Sequence, residues 1–554
     1  MDRPWTRHYD YWVPPHMNYP RRPLYEILRT TAVETPDAPA TWFLRAQLTF
    51  ADMKSHVDRF ATALVRLGIR QGDCVGIMLP NCPQYAIAIF ATLRLGAIVV
   101  NINPTYTARE VTTMARDSGI RALLTLDALA PAMLPVCAET QVETLIVTSL
   151  AEYGPSATPP AAIEGTVRFA DLLAGVTEPE LPRVIIDTER DVAVLQYTGG
   201  TTGAPKAAML THYNIFANVV QAQVWMTASL RRGEHRFLLV IPYFHIYGLT
   251  VGLMMGTWMG ALQILVPKYD VDVVLTAIRD FRPTYFPAVP TIYVSLLNHP
   301  RLKEYRPDGV KTYNSGSAPL PVEIIEKFER VTGVTLNEGY GLSEASPVTH
   351  STASLARRKP GSIGLPLPDT DIKVVDLETG MRELPIGEEG ELCVAGPQIM
   401  KGYWNQPAET AIALRTDEQG REWLYTGDVA RMDEDGYTYI VQRKKDMIIV
   451  DGLKVYPSEV EGVLYAHQSV MEAAVVGVPH SYHGEVVKAC VVLKPGEQAT
   501  SDELREHCAK SLAKFKTPCA IDIRAVLPKS AVGKVLYRSL REEMRTDAEK
   551  QTTS

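Results

Sequence analysis

Lys206, Lys534, Glu344, Asp428 and His245 are the side chains of this 554-residue sequence whose surroundings could turn charge into chemistry. Lys206 closes the run Tyr197-Thr198-Gly199-Gly200-Thr201-Thr202-Gly203-Ala204-Pro205-Lys206. Its three glycines let the backbone turn sharply and bring N–H groups close to a ligand. Successive N–H groups in such a loop form an anion-binding concavity. Thr198, Thr201 and Thr202 add hydroxyl donors, and Lys206 adds a full positive charge. The chemistry that fits is a phosphate cradle. It is not a Walker A loop, which needs Gly before its Lys and Ser or Thr after it; here Pro205 precedes Lys206 and Ala207 follows.

The remaining groups sit in shorter motifs. In Asn337-Glu338-Gly339-Tyr340-Gly341-Leu342-Ser343-Glu344, Tyr340 between glycines can lay its ring on a flat base. Glu344 offers an oxygen ligand to Mg²⁺, which takes one or two carboxylates together with phosphate oxygens and water. Asp428 ends Tyr425-Thr426-Gly427-Asp428, and a carboxylate accepts hydrogen bonds from both hydroxyls of a ribose. His245 lies among aromatics in Pro242-Tyr243-Phe244-His245-Ile246-Tyr247-Gly248; taken alone, such a histidine is most often a packed core residue. Ser315-Gly316-Ser317-Ala318-Pro319-Leu320 reads alone as a small-residue turn, Arg443-Lys444-Lys445-Asp446 as a solvated linker, and Lys534 after Gly533 as weak evidence.

In type and order, over about residues 195–540, these motifs resemble those of the adenylate-forming superfamily. It holds acyl-CoA synthetases, beetle luciferases and the adenylation domains of peptide synthetases. The wording of Gln196-Tyr197-Thr198-Gly199-Gly200 and Asp446-Met447-Ile448 most resembles bacterial long-chain fatty acid–CoA ligases. The resemblance implies that Thr198, Gly199, Gly200, Thr201, Thr202, Gly203 and Lys206 hold the β and γ phosphates of ATP. It implies a nucleotide pocket from Ser317, Ala318, Glu338, Gly339, Tyr340, Gly341, Leu342 and Ser343, with Mg²⁺ on Glu344. Asp428 would hold the ribose, with Ile440 and Arg443 nearby. His245 would lie near the acyl carboxylate, Lys445 would be the hinge of a small domain, and Lys534 would be the catalytic lysine. Several positions depart from the family pattern: Gly199 replaces Ser or Thr, Ala207 replaces Gly, Ser343 replaces Thr, and Tyr537 takes a place often held by Arg. Asp451-Gly452-Leu453-Lys454 also departs, in a loop that borders the CoA channel in relatives.

The implied reaction has two halves. An acyl carboxylate attacks the α-phosphorus of MgATP, giving acyl-adenylate and pyrophosphate; the CoA thiol then gives acyl-CoA and AMP. ATP, Mg²⁺ and CoA are the implied cofactors and co-substrates, and a fatty acid is the implied substrate. Alternatives are a ligase for a medium-chain or aryl acid, a luciferase-like oxidase, a peptide-synthetase adenylation domain, and a non-catalytic acyl-nucleotide sensor. The chain ends soon after Lys534, without the carrier domain expected of the third.

The elements that must position these groups follow from periodicity. Residues 49–67 place Met53, Val57, Phe60, Ala61, Leu64 and Leu67 on one helical face, and Gly68 stops the helix. Strands near 74–79, 97–101, 122–126, 142–147 and 191–196 alternate with helices near 84–95 and 111–117. After a helix near 213–226 the alternation resumes with strands 237–241 and 284–288 and helices 271–279 and 292–297. Such alternation predicts an α/β fold, a large N-terminal domain of parallel sheets sandwiched by helices. From about 361, short strands with glycine turns predict a small β-barrel-like subdomain, to about 444. Residues 445–554 predict a mobile α+β C-terminal domain, with capping boxes at Ser458/Glu461 and Thr500/Glu503 and a disordered polar tail from Arg545.

Net charge is −7, which argues against nucleic acid as a partner. Seven scattered cysteines without a C-x-x-C pair suggest neither zinc nor a disulfide framework. The N-terminus carries no signal peptide pattern, so the expected location is cytoplasmic, with peripheral contact at the inner face of the membrane and a homodimer both left open. Residues 249–266 lack charge, and glycines recur at 248, 252, 256 and 260. A buried helix and a core strand over 261–266 are expected there rather than a membrane span. Either the glycines pack the helix closely, or they wall an acyl tunnel beside His245.

Overall fold

The computed structural model describes residues 3–198, 205–227, 232–353, 355, 357–451, 453–480, 482–530 and 534–552, the side chains of 227 and 545–552 excepted. The chain forms two compact units. The first comprises Met1–Ile372, Val394–Leu424 and Asp435–Tyr437; the second comprises Lys373–Cys393, Tyr425–Glu434 and Thr438–Ser554.

Two sheets organise the first unit. In one, seven strands run in the order Val167–Arg168, Thr144–Thr148, Ile120–Leu126, Cys74–Met78, Ile98–Asn101, Val192–Thr198 and Lys206–Thr211. All neighbours are parallel except the last pair. The other has a six-strand parallel centre, Leu336–Gly341, Thr312–Ser315, Tyr285–Ala288, Arg236–Leu239, Leu262–Leu265 and Pro39–Phe43, with antiparallel strands at both edges. Fully apolar runs such as 74–78 are buried along their whole length, as a parallel sheet covered on both faces demands. The helix Phe50–Arg66 begins where predicted, with Thr49 and Asp52 forming a capping box and Met53, Val57, Phe60, Ala61 and Leu64 buried.

Four local features complete or alter the reading from sequence. The helix expected near 213–226 forms as His212–Thr227, and before it Lys206–Thr211 is a strand paired antiparallel with Val192–Thr198, in register as far as Thr198 opposite Lys206. Lys206-Ala207-Ala208-Met209-Leu210-Thr211 shows no period-2 alternation, so patterning alone does not mark this strand. Second, Ser458 and Glu461 make no capping box. The helix Pro457–Tyr465 starts on a proline, Ser458 Oγ donates to the Val441 carbonyl, and Glu461 accepts from Val475 N at 2.8 Å and from the Tyr537 hydroxyl at 3.1 Å. Third, the tail is helical, Tyr537–Thr552. The box at Thr500 and Glu503 is present.

Fourth, the glycine run forms a buried π-helical segment, Gly248–Met254, continued by α-helix Met255–Trp258 and strand Leu262–Leu265. A Cβ on Gly248 would lie 2.1 Å from the Pro242 carbonyl oxygen. One on Gly252 would touch Leu239, and one on Gly256 would touch Phe237 and Gln263, both at 3.3 Å. The missing side chains therefore admit the sheet, not a ligand, and the tunnel reading of these glycines falls. No helix among the described residues is long and apolar enough to cross a membrane.

The second unit holds the antiparallel pair Val470–His480 and Gly484–Leu493, with Ala520–Ile523 added parallel and helices 457–465 and 501–511 closing a core around Val475, Val487 and Ala489. Within it, 428–432 also pairs antiparallel with Thr438–Arg443.

Candidate active site

The first unit brings together the metal and phosphate groups read from the sequence. Gly199, Gly200, Thr201, Thr202 and Gly203 lie outside the described residues. At the two strand ends that flank them, Thr198 Oγ1 donates to the Lys206 carbonyl at 3.3 Å. Lys206 forms an ion pair with Glu409, and its ammonium lies over the Tyr403 ring, 5.4 Å from the centroid. The Tyr403 hydroxyl donates to Glu344 Oε1 at 2.7 Å. Neither Tyr403 nor Glu409 was singled out in the sequence, where no quoted motif contains them.

A strap, residues 400–405, runs beside this group. Its backbone bonds to the strand of Lys206: Lys401 N to the Met209 carbonyl, Met209 N to the Gly402 carbonyl and Trp404 N to the Ala207 carbonyl, each at 2.9 Å. Met400 N donates to the Glu344 carbonyl at 2.8 Å. The Trp404 ring N–H and the Asn405 amide both donate to the carbonyl of Asp117, whose carboxylate accepts from the Tyr197 hydroxyl at 2.6 Å. Ala207, a departure from the family pattern, lies inside the strand with its methyl in the core beside Tyr197 and Met209.

The segments expected to line a nucleotide pocket meet at adjacent strand ends. Ser315 pairs with Glu338, and the turn after Ser315 is tight, with Ser317 in the left-handed region at φ 70°. A Cβ on Gly316 would press on the Tyr247 ring at 3.1 Å, so glycine lets that ring lie under the turn. Tyr247 donates to Asn314 Oδ1 at 2.5 Å. Ala318 is half-buried. Glu338 is buried, and its carboxylate accepts from Leu320 N at 3.3 Å; burial pushes its pKa up to about 8. Gly339, Tyr340, Gly341, Leu342 and Ser343 are all partly exposed. The Tyr340 ring stands edge-on to buried His350, centroids 5.8 Å apart. At Gly341 a Cβ would meet the Pro347 carbonyl at 2.1 Å.

His245 is half-buried, and its Nδ1 accepts from Tyr247 N at 3.2 Å, which leaves the proton on Nε2 when the ring is neutral. Its turn is pinned from the other sheet. Asn81 bonds the Leu239 and Ile241 carbonyls and Tyr243 N, while Gln196 bonds the Phe244 carbonyl. Gln196 in turn accepts from Asn101, which accepts from Tyr85. Such a satisfied buried chain fixes geometry. Its members are ordinary polar residues inside apolar runs, so spacing alone did not mark them.

The second unit carries the rest. Asp428 is buried and pairs across the strands with Arg443, Oδ1 to Nε 2.8 Å; Ile440 lies opposite Ala430 on the same ladder. Lys445 is exposed in the single turn Lys444–Asp446. Lys534 is exposed, and its backbone exchanges hydrogen bonds with Ser530, N to Oγ at 3.2 Å and carbonyl to N at 2.7 Å.

Two largely parallel sheets, with Lys206, Glu344 and Tyr403 in contact in the same unit, form the α/β frame of an adenylate-forming enzyme. The chain belongs to the AMP-binding enzyme family, whose model matches residues 28–404, with the family's C-terminal domain matching 459–534. Among its relatives, a long-chain-fatty-acid–CoA ligase of Bacillus subtilis (strain 168) is 44% identical over 98% of each chain. One from Yersinia pestis is 36% identical, again over 98% of each. Among solved structures, ATP-bound MatB from Rhodopseudomonas palustris is 29% identical with a TM-score of 0.84, covering 94% of this chain and 99% of that one.

Proposed function

We propose that this protein is a long-chain fatty acid–CoA ligase of the AMP-forming kind. What carries the reading is whole-chain similarity to ligases of that name, 44% identity in the Bacillus subtilis case. The geometry of the first unit supports it, because Lys206 and Glu344 are held by one side chain.

In the adenylation half the fatty acid carboxylate attacks the α-phosphorus of ATP and pyrophosphate leaves. Lys206 and the threonines of the loop hold the phosphates, Tyr340 and the 315–320 turn hold the base, and Asp428 accepts from the ribose hydroxyls. Lys534 bridges the carboxylate and α-phosphate. No side-chain nucleophile is needed: the work is positioning and charge stabilisation. Glu344 fits Mg²⁺, since a carboxylate keeps acceptor sites beyond the one Tyr403 uses. Such an ion takes its other ligands from phosphate oxygens and water. Bound there, Mg²⁺ would offset phosphate charge. In the second half the CoA thiol displaces AMP. The domain boundary we assign falls at Lys445.

A panel of fatty acids of increasing length, assayed with ATP and CoA for thioester and AMP, tests the reading. Long acids should be preferred. A second reading, an aryl-acid ligase, draws on the rice 4-coumarate–CoA ligase 2, 34% identical over 96% of this chain; thioester from 4-coumarate but from no fatty acid would establish it instead.

A further inference from the structure

Tyr403 touches two groups of opposite charge that adenylation needs together: its hydroxyl meets Glu344 and its ring faces Lys206. Its own placement is tightly determined. Tyr403 forms a β-bridge with Ala208, and its N–H donates to Thr410 Oγ1 at 2.8 Å. Gly402 before it has φ 139°, and a Cβ there would sit 2.8 Å from Thr410 Cγ2, so this close approach requires glycine. Beyond the ring, Glu409 neutralises Lys206.

We propose that Tyr403 is a positioning residue of the adenylation half-reaction. Its hydroxyl sets the rotation of the Glu344 carboxylate for the metal, and its ring sets Lys206 for phosphate. Glu409 is the counter-charge that Lys206 releases when phosphate arrives. The inference rests on the proposed function for the meaning of adenylation, but not for its test. A phenol donating to one carboxylate oxygen aims the remaining lone pairs in a fixed direction. An aromatic face attracts an ammonium without forming a competing ion pair. The Glu409 side chain is 40% exposed, and ion pairs of that kind are weak and screened, so a polyphosphate of higher charge displaces it.

Titration calorimetry with MgATP, and with ATP in EDTA, separates these roles. Tyr403→Phe keeps the ring and loses the hydroxyl; it should weaken MgATP binding about tenfold or more and leave metal-free ATP within roughly twofold. Tyr403→Leu should weaken metal-free ATP as well. Glu409→Gln should tighten both forms, most at low salt. Tyr403→Phe binding MgATP as the wild type does, or losing both forms equally, would overturn the proposal. A melting temperature measured for each variant separates local from global change: an unchanged value with a selective MgATP loss supports positioning. If the wild type makes no thioester on the acid panel, the proposed function fails, while the two titrations still decide how Tyr403 serves MgATP.

Discussion

Asp428 and Arg443 face each other across two antiparallel strands, carboxylate to guanidinium at 2.8 Å, with Asp428 buried and Arg443 partly exposed. The arginine holds the carboxylate in one rotamer, which is what an acceptor for two ribose hydroxyls needs. Asp428→Asn should raise the KM for ATP about ten- to a hundredfold, the worth of hydrogen bonds to a charged group, with a smaller effect on the KM for fatty acid. Equal changes in both constants would remove Asp428 from the ribose site.

Lys534 should serve adenylation only. Lys534→Ala is expected to lose acid-dependent ATP/pyrophosphate exchange by several orders of magnitude, yet convert supplied acyl-adenylate and CoA to thioester. Parallel loss of both half-reactions would contradict this.

Lys445 lies between two anchored neighbours. Lys444 is tied to Glu391 at 2.8 Å, and Asp446 to Arg541 of the last helix at 3.2 Å. A rotation taken up at residue 445 would need free φ, which proline fixes near −65°. Lys445→Pro should leave adenylate formation near the wild-type rate and slow thioester formation much further. Wild-type rates in both would place the hinge elsewhere.

The glycine run gives a different prediction from the one its spacing suggests. Leucine at Gly256 must displace Phe237 and Gln263, and overpacking of this kind costs about 1–3 kcal/mol. Gly256→Leu should lower the melting temperature and reduce activity on acids of every length. A selective shift towards short acids, with stability intact, would restore the tunnel reading.

Glu338 supplies a pH signature. Burial raises its pKa from 4.5 to about 8, so the folded chain keeps a proton that the unfolded chain releases above its ordinary value. This contribution is full below pH 4.5 and is lost as pH rises through about 8, at up to about 1.4 kcal/mol per pH unit. Melting curves between about pH 5 and 9 should fall less steeply for Glu338→Gln than for the wild type. Identical slopes would show that the carboxyl is not protonated in the fold.

Periodicity was enough for the alternating strands and helices of the first unit, because parallel strands buried on both faces must be apolar throughout. Motif glycines and charges singled out Lys206, Glu344 and Asp428, and the structure sets Lys206 and Glu344 against one tyrosine. Two kinds of feature escaped. Tyr403, Glu409 and the Asn81–Gln196 network act through contacts between residues far apart in the chain, and nothing local marks them. The glycines at 248, 252 and 256 were visible, but space left by a missing side chain can admit either a ligand or a strand, and only the neighbours decide. Likewise Glu461 satisfies the capping-box pattern, yet a partner from another strand, Val475, claims its carboxylate.

Asp117 gives the motif a dependence that its own letters do not contain. One residue near the end of the helix Ala108–Ser118 receives Tyr197 on its carboxylate and Trp404 and Asn405 on its carbonyl. It thereby splices the strand Val192–Thr198 to the strap 400–405 that runs beside Lys206–Thr211. A genetic screen for lost ATP use should therefore recover Asp117, some eighty positions upstream, alongside the signature residues. Any transplant of the loop into another protein would need that distant helix end to travel with it.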